Sequence, residues 1–265
     1  MPEGDILRRV ARRLDQVLTG QAITYSQLRW PGLGGVDLTG QTVEAVEAYG
    51  KHVLMRLDSG WTFRSHLRMD GAWLVEKASD GRPAAGSAAQ RWTSRAVLAN
   101  RSWVVIGHRL GMADLLRSRD AGRLTGRLGP DVMADGFDPD RAAERVAAQG
   151  GRGIGATLLD QTVVAGIGTI YMAESLFAWG VRPDRPADQV PDLPGLLAHA
   201  RRLLRRSADA RTPTATGLTG RGQTSLAHGR ERLPCRRCST PIAVMRVGRP
   251  PLDRPAFYCP VCQPD

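Results

Sequence analysis

The sequence predicts a multidomain α+β protein: an N-terminal β-sandwich with a leading helix, then a helical domain, then a C-terminal β-hairpin finger. Three observations predict it. Short apolar runs with alternation and turn punctuation fill residues 22–117. Helical periodicity replaces them from about residue 137. The last stretch, from 230 onward, is too short for a core of its own and carries two Cys-x2-Cys pairs. The 265 residues suit two modest domains with an appendage, and a hydrophobic fraction of 42% is enough for real cores. No apolar run approaches the ~18 residues of a membrane span. The opening MPEGDILRRV lacks the basic-then-apolar order of a secretory signal. A membrane protein, a secreted disulfide scaffold and a fibrous chain are thereby disfavoured.

In chain order, residues 5–18 read as a helix. Ile6, Val10, Leu14, Val17 and Leu18 recur at helical spacing, and Gly20 closes it. Trp61, Phe63, Ser65 and Leu67 alternate with Thr62, Arg64 and His66, as in a half-buried strand. Val97-Leu98 and Trp103 to Ile106 flank Asn100-Arg101 as a hairpin. Gly126 to Gly136 is rich in Gly, Pro and Asp and reads as an interdomain linker. Asp138-Pro139 supplies an N-cap and first-turn pair for a helix over Ala142 to Gln149. Further helices are expected at Gly155 to Gln161 and at Thr169 to Trp179, the latter ended by Gly180. A fourth uses Leu193, Leu196, Leu197, Ala200, Leu203 and Leu204 as its apolar stripe. Residues 211–228, rich in Thr, Gly and Arg, read as a mobile loop. The expected division is 1–122, a linker 123–136, a helical domain 137–220 and a finger 221–265.

Cys235-x2-Cys238 is followed after twenty residues by Cys259-x2-Cys262. Four thiolates in two knuckles fit a tetrahedral zinc site. Two disulfides are the alternative, but a Cys-x2-Cys pair closes too small a ring for a comfortable structural bridge. With no His, Asp or Glu ligand and no open position, a Zn2+ held here is structural, so chemistry lies elsewhere. Ile242 to Val247 and Ala256 to Tyr258 can form the finger's hairpin.

The net charge of +11 is unevenly spread. Residues 201–265 carry thirteen Arg against Asp209, Glu231, Asp253 and Asp265, whereas residues 1–200 are almost neutral. Such a field points to a polyanion such as nucleic acid; a solvated basic face in an arginine-favouring composition is the alternative. Only Lys51 and Lys77 are lysine, against 35 Arg. Removal of Met1 from a Met-Pro start leaves Pro2 with a free secondary amine, much of it neutral and nucleophilic at pH 7. Its attack on an aldehydic carbon gives an iminium, an electron sink for elimination at the β-carbon. Glu3 places a carboxyl beside it for proton transfer. Pro-Glu is also an ordinary helix start. Lys51 follows a glycine in Tyr49-Gly50-Lys51-His52. Met69 stands at the tip of Ser65-His66-Leu67-Arg68-Met69-Asp70-Gly71, either as an apolar wedge for a base stack or as core filler.

Over essentially its whole length the chain resembles the bacterial formamidopyrimidine-DNA glycosylase and endonuclease VIII family. The resemblance rests on MPEGD, YGKHV, SHLRMDG, LGPD, LLDQTVVAGIGTIYMAESLFAWGVRP and HGRERLPCRRC with DRPAFYCPVCQ. The fifth is similar to the family's helix–two-turn–helix element and the last to its zinc finger. PEGD and the YGK context look closer to endonuclease VIII, which implies oxidised pyrimidines as substrates. The resemblance implies that Pro2 attacks C1′ of the damaged nucleoside to form a Schiff base and that Glu3 protonates the sugar. It further implies that Lys51 serves β-elimination and a phosphate contact, and that Arg254 grips the flanking phosphates and assists δ-elimination. Met69 would fill the gap left by the extruded base. Gly166, Gly168 and nearby amides would hold a phosphate, and Arg109 and Arg230 would contact DNA.

Three departures stand out. Thr169 replaces the usual Asn in GIGT, losing the amide's reach and second donor. His108-Arg109-Leu110-Gly111 stands where the guanine-directed branch carries Arg-Arg-Phe-Gly, so that Leu110 takes an aromatic wedge's place. GLTGRGQTSLAHG is not the family's usual loop before the finger. The implied partners are damaged or abasic DNA, with no membrane and no small-molecule redox cofactor. The expected state is a monomer in the bacterial cytoplasm, associated with the nucleoid. Two rival readings remain: an oxidised-purine glycosylase of the same family, and a non-catalytic damaged-DNA-binding finger protein.

Overall fold

The computed structural model describes residues 2–265. They group into two units, one of Pro2 with Leu7–Gly126, the other of Glu3–Ile6 with Arg127–Asp265. Helix α1 (Gly4–Leu18) starts in the second unit and runs through the first. In the first unit it buries Leu7, Ala11, Leu14, Val17 and Leu18 at three- and four-residue spacing. Side chains pin it there. Asp15 Oδ1 accepts from the Val46 N–H at 2.9 Å, and Asn100 Nδ2 donates to the Val17 carbonyl at 2.6 Å.

The rest of this unit is two antiparallel sheets, as expected of a β-sandwich. One runs β2 (Val43–Tyr49), β3 (His52–Leu57), β4 (Trp61–His66), β9 (Met112–Arg117). The other runs β1 (Tyr25–Leu28), β7 (Ser94–Ala99), β8 (Trp103–His108), β5 (Ala72–Ser79), β6 (Arg82–Pro83). The hairpin around Asn100-Arg101 closes by an Asx turn, with Asn100 Oδ1 accepting from the amides of Ser102 and Trp103 at 2.9 and 2.8 Å. In β4, Phe63 and Ser65 are buried as their alternation requires; Thr62 is buried too, sharing a hydrogen bond with Ser118 at 2.8 Å. A short helix, α2 (Ser118–Thr125), follows β9 where strand and then linker were expected. Its eight residues SRDAGRLT offer no apolar period to read.

The second unit holds α3 (Pro139–Ala147), α4 (Ile154–Leu159), α5 (Thr169–Trp179) and α6 (Leu193–Asp209). Their core joins Val146, Ile154, Leu158, Met172, Leu176, Leu196, Leu197 and Leu204. Asp138 caps α3 by accepting from the amides of Asp140 and Arg141. Gly180 ends α5 in the left-handed conformation. Helix α6 continues past its leucine stripe because Ser207 and Ala208 are still buried.

Residues 127–136 are no free tether. Val132 and Met133 belong to the core. The Gly129 and Val132 amides donate to the Gln161 and Ala165 carbonyls at 2.8 and 3.0 Å. A Cβ at Gly129 would overlap the Val163 carbonyl, so only glycine fits. Residues 211–228 form no helix or strand, yet they are not the loose loop their composition suggests. Thr214 and Ala227 are buried, and the hydroxyls of Thr214 and Thr216 donate to the Leu218 and Gln223 carbonyls at 2.7 and 2.6 Å. The finger's hairpin pairs β10 (Ala243–Val247) with β11 (Arg254–Tyr258).

Candidate active site

Glu3 is 1% exposed and acts at a helix end distant in sequence. Its Oε2 accepts from the Gly168 and Tyr171 amides at 2.9 and 3.3 Å, and its Oε1 from the Ile170 amide at 2.7 Å. The carboxylate thus satisfies the open N–H groups of the first turn of α5 and faces the positive end of its dipole. Gly168 makes room for it, because a Cβ there would overlap the carboxyl group. Beside it the Gly4 amide donates to the Gly166 carbonyl at 2.9 Å. Asp5 Oδ2 accepts from the Tyr171 and Ser207 hydroxyls at 2.6 and 2.7 Å. Burial, and then the Asp5 charge, push the Tyr171 phenol far up, so it stays a donor.

The two turns between α4 and α5 are organised by Gln161. Its Nε2 donates to the Leu159 and Ile167 carbonyls, and its Oε1 accepts from the Gly166 amide at 3.0 Å. The amides of Gly166 and Gly168, expected to hold a phosphate, are therefore engaged by the Gln161 and Glu3 side chains. Thr169 opens α5 and is half-buried.

In the other unit, Pro2 is half-buried, while Met1 lies outside the described residues. Tyr49 pairs with His52, so Gly50 and Lys51 form a two-residue hairpin loop between β2 and β3, with Gly50 at φ 56°. Lys51 is only 5% exposed. Next to it the His52 and His66 rings meet edge to face, with centroids 5.0 Å apart. His66 Nδ1 accepts from the Arg68 amide at 2.8 Å. Burial first, then the charges of Lys51, Arg68 and Arg64, push His66 down to about 4. Burial, His66 and Arg64 do the same to His52. Both imidazoles are therefore neutral at pH 7, and Lys51 stands beside two neutral rings in a cluster that also holds the charges of Arg64 and Arg68.

Met69 is 66% exposed on the turn between β4 and β5. This favours the wedge over core filler. Leu110 behaves otherwise: it is 4% exposed and folds over β8, where a Cβ on Gly107 would collide with it. Leu110, expected to stand in an aromatic wedge's place, is thus packed inward here. Arg109, at φ 45°, is exposed at the same turn.

At the finger, the four cysteine sulfurs lie within 4.8 Å of one another. Close pairs are Cys235 with Cys262 at 3.9 Å, and Cys238 with Cys259 and Cys262 at 3.4 and 3.5 Å. A tetrahedron with Zn–S bonds of ~2.3 Å has edges near ~3.8 Å, whereas a disulfide needs ~2.05 Å. The cluster fits Zn2+ and excludes the disulfide reading. Arg254 is exposed at the start of β11, its Nη1 donating to the Leu252 and Asp253 carbonyls at 2.9 and 3.0 Å. Arg230 is half-buried and donates to the Pro234 carbonyl at 2.9 Å.

Glu174 takes a structural role. Its carboxylate accepts from the amides of Leu226, Ala227 and His228, each at 2.8 Å, fastening the 211–228 stretch to α5. Burial pushes its carboxyl up. Asp5, Gln161 and His66 were not singled out by sequence. All three lie inside the matching motifs, but only folding shows which backbone groups they meet.

Residues 1–109 match the family model of the formamidopyrimidine-DNA glycosylase N-terminal domain, and residues 128–214 that of the formamidopyrimidine-DNA glycosylase H2TH domain. The chain is 40% identical over 274 residues to the "probable endonuclease 8 2" of Streptomyces coelicolor, covering 99% of this chain and 94% of that protein. It is 34% identical over 265 residues to the "DNA-(apurinic or apyrimidinic site) lyase Nei2" of Mycolicibacterium smegmatis, covering 99% of each. Among solved structures, the complex of Lactococcus lactis Fpg with abasic-site DNA superimposes with a TM-score of 0.80 at 22% identity, covering both chains fully. That likeness is one of fold.

Proposed function

The chain belongs to the formamidopyrimidine-DNA glycosylase/endonuclease VIII family, and from that premise we propose a bifunctional DNA glycosylase/AP lyase that favours oxidised pyrimidines. Relatives named endonuclease 8 match at 35–40% identity, those named formamidopyrimidine-DNA glycosylase at 30–33%. This ordering favours the endonuclease VIII branch over the purine-directed one. Pro2, freed of Met1, attacks C1′ through its secondary amine; the damaged base departs with a proton, and Glu3 protonates the sugar oxygen as the ring opens. The resulting iminium acidifies C2′. Loss of that proton expels the 3′-phosphate, and a second elimination expels the 5′-phosphate. Lys51 moves protons in the first elimination, and Arg254 holds flanking phosphates. Met69 fills the gap left by the extruded base, while Arg109, Thr169 and Arg230 contact DNA. Zn2+ on the four cysteines keeps the finger folded and takes no part in bond making. Among the described residues no helix is long and apolar enough to cross a membrane. We place the protein in the bacterial cytoplasm, on the nucleoid, as a monomer.

The observation that carries this reading is the burial of Lys51. A lysine kept for solubility would be exposed, and a merely DNA-binding protein has no use for a buried one beside two neutral histidines. Borohydride trapping on abasic duplex DNA is the test. A covalent adduct through the N-terminal proline, mapped by mass spectrometry, is expected. Lys51→Gln should retain more of that adduct than Glu3→Gln does. No adduct from a Pro2-started chain would leave only the binding-protein reading. Dominant release of 8-oxoguanine opposite cytosine, over thymine glycol and dihydrouracil, would instead favour the purine branch.

A further inference from the structure

Trp92 is the most exposed large apolar side chain among those described, at 80%. An indole commonly buries ~150–250 Å2, so leaving one in water forgoes much stabilisation. Two other half-exposed tryptophans are covered by cations: Arg117 lies 4.1 Å above the Trp61 ring and Lys77 3.6 Å above Trp103. Among the described residues no ring or cation stacks on Trp92.

Its neighbours are fixed by its own backbone. The Thr93 carbonyl accepts from the Arg109 amide at 2.8 Å, and the Thr93 hydroxyl meets His108 Nδ1 at 3.1 Å. These bonds lay the 91–93 segment along the turn that carries Arg109. Arg29 Nη1 donates to the Arg91 carbonyl at 3.0 Å, bringing a third guanidinium to the same edge. Burial pushes His108 down, and the charges of Arg109 and Arg91 add to it, so the imidazole is neutral and all the positive charge here is arginine. A bare indole on a segment whose backbone is tied to Arg29 and Arg109, with Arg91 next to it in the chain, has the composition of a nucleobase platform, with the aromatic face for a base and the guanidiniums for its phosphates. The neighbouring Leu110, which stands where the guanine-directed branch carries an aromatic residue, is buried.

We propose that Trp92 stacks on an unstacked base of the damaged duplex, acting as the aromatic contact that Leu110 cannot provide and so as an affinity- and specificity-determining residue. This rests on the DNA glycosylase reading above, and the experiment separates the two. Binding is measured by fluorescence anisotropy with a labelled duplex bearing a tetrahydrofuran abasic analogue, for the parent, W92A and W92F. W92A should bind about tenfold more weakly and W92F within about threefold, since phenylalanine keeps an aromatic face. Binding should quench the parent's tryptophan emission, and that part of the quench should vanish in W92F. An exposed position leaves the fold of either variant unchanged, and an unchanged melting temperature checks it. W92A binding within twofold of the parent, or a quench unaltered in W92F, overturns the proposal and leaves the enzyme reading intact. Failure of the parent itself to bind abasic duplex overturns both, whereas binding without a borohydride adduct overturns the enzyme reading alone. Sedimentation that shows a parent dimer dissociated by W92A would mean a second copy covers the indole, and would equally overturn it.

Discussion

Glu3→Gln is the substitution by which a proton donor beside Pro2 would ordinarily be tested, and its effect will not be confined to chemistry. The carboxylate accepts from three amides of the first turn of α5 at 2.7–3.3 Å, and it is nearly inaccessible to water. Hydrogen bonds to a charged acceptor contribute ~1.5–3 kcal/mol each, against about 1 for a neutral pair. Glutamine retains one acceptor oxygen and turns an NH2 group toward amides that are themselves donors. Keeping one neutral bond and losing the rest, together with a favourable dipole term of ~0.3–1 kcal/mol, gives a destabilisation of about 4–9 kcal/mol. For a chain of this size that lowers the melting temperature by about 8–18 °C. Calorimetry reads the total, and amide hydrogen exchange reads the place: Gly168, Ile170 and Tyr171 should lose protection while the centre of α6 keeps it. Glu3→Asp should fare no better, being one methylene short of the helix end. Unchanged melting and unchanged exchange at those three amides would refute the capping argument, and activity lost by Glu3→Gln could then be assigned to chemistry alone.

The β-sandwich unit should weaken in mild acid. His52 and His66 are held at about 4 in the fold against an ordinary 6.5, so the unfolded chain binds protons first. Their contribution is complete above pH 6.5 and is lost as pH falls toward about 4; with partial exposure allowed for, it is on the order of 2 kcal/mol. Denaturation midpoints across that range should show it, and His52→Gln should flatten the dependence; a parent curve flat from pH 7 to 4 would contradict the burial assigned to both rings. Leu110→Ala should cost ~3 kcal/mol of stability and little DNA affinity, whereas Met69→Ala should weaken abasic-site binding with a stability change under ~0.5 kcal/mol. The reverse pattern in urea melts and binding titrations would mean Leu110, not Met69, is the wedge. Purified protein should carry about one zinc per chain, and its removal by a chelator should expose the amides of β10 and β11 to exchange while the β-sandwich stays protected; protection of the hairpin without metal would show the finger does not need it.

Elements whose information is local were legible from sequence. Helix α5 was read to its ends because Gly168 and Gly180 bracket it, and α1 because its apolar residues keep one face. The zinc site was legible because two knuckles of the right spacing leave few other uses for four cysteines. Helix α2 was not, since eight mostly polar residues carry no period. Residues 127–136 and 211–228 look like tethers because composition reports only backbone permissiveness. What holds them comes from elsewhere in the chain: the Gln161 and Ala165 carbonyls for the first, the Glu174 carboxylate for the second. The site divides the same way. Pro2, Glu3 and Lys51 could be singled out as candidates from their residue types and the family resemblance, but that Glu3 also closes a helix 165 residues away could not, nor that Leu110 turns inward.

The excess arginine acquires a second meaning from the same contacts. Arg201 donates to the Val132 and Ala134 carbonyls and Arg205 pairs with Asp135, so two residues of α6 hold the 132–135 segment. Arg206 donates to the Ala215 carbonyl, Arg236 to the Gly222 carbonyl, and Arg237 to the Phe177 carbonyl while stacking on its ring at 4.2 Å. Irregular segments leave carbonyls without ladder partners, and a planar fork with five donors can satisfy several at once where an ammonium on a flexible stem cannot. That is a reason for arginine over lysine that owes nothing to DNA, and it sits in the quarter of the chain with most of the charge. The guanidiniums so engaged still add to the positive field, but their donors are committed to protein. Close phosphate contacts in this quarter must then come chiefly from exposed arginines outside these props, such as Arg202, Arg232 and Arg249. Affinity for DNA should accordingly depend on fewer ion pairs than the net charge alone implies.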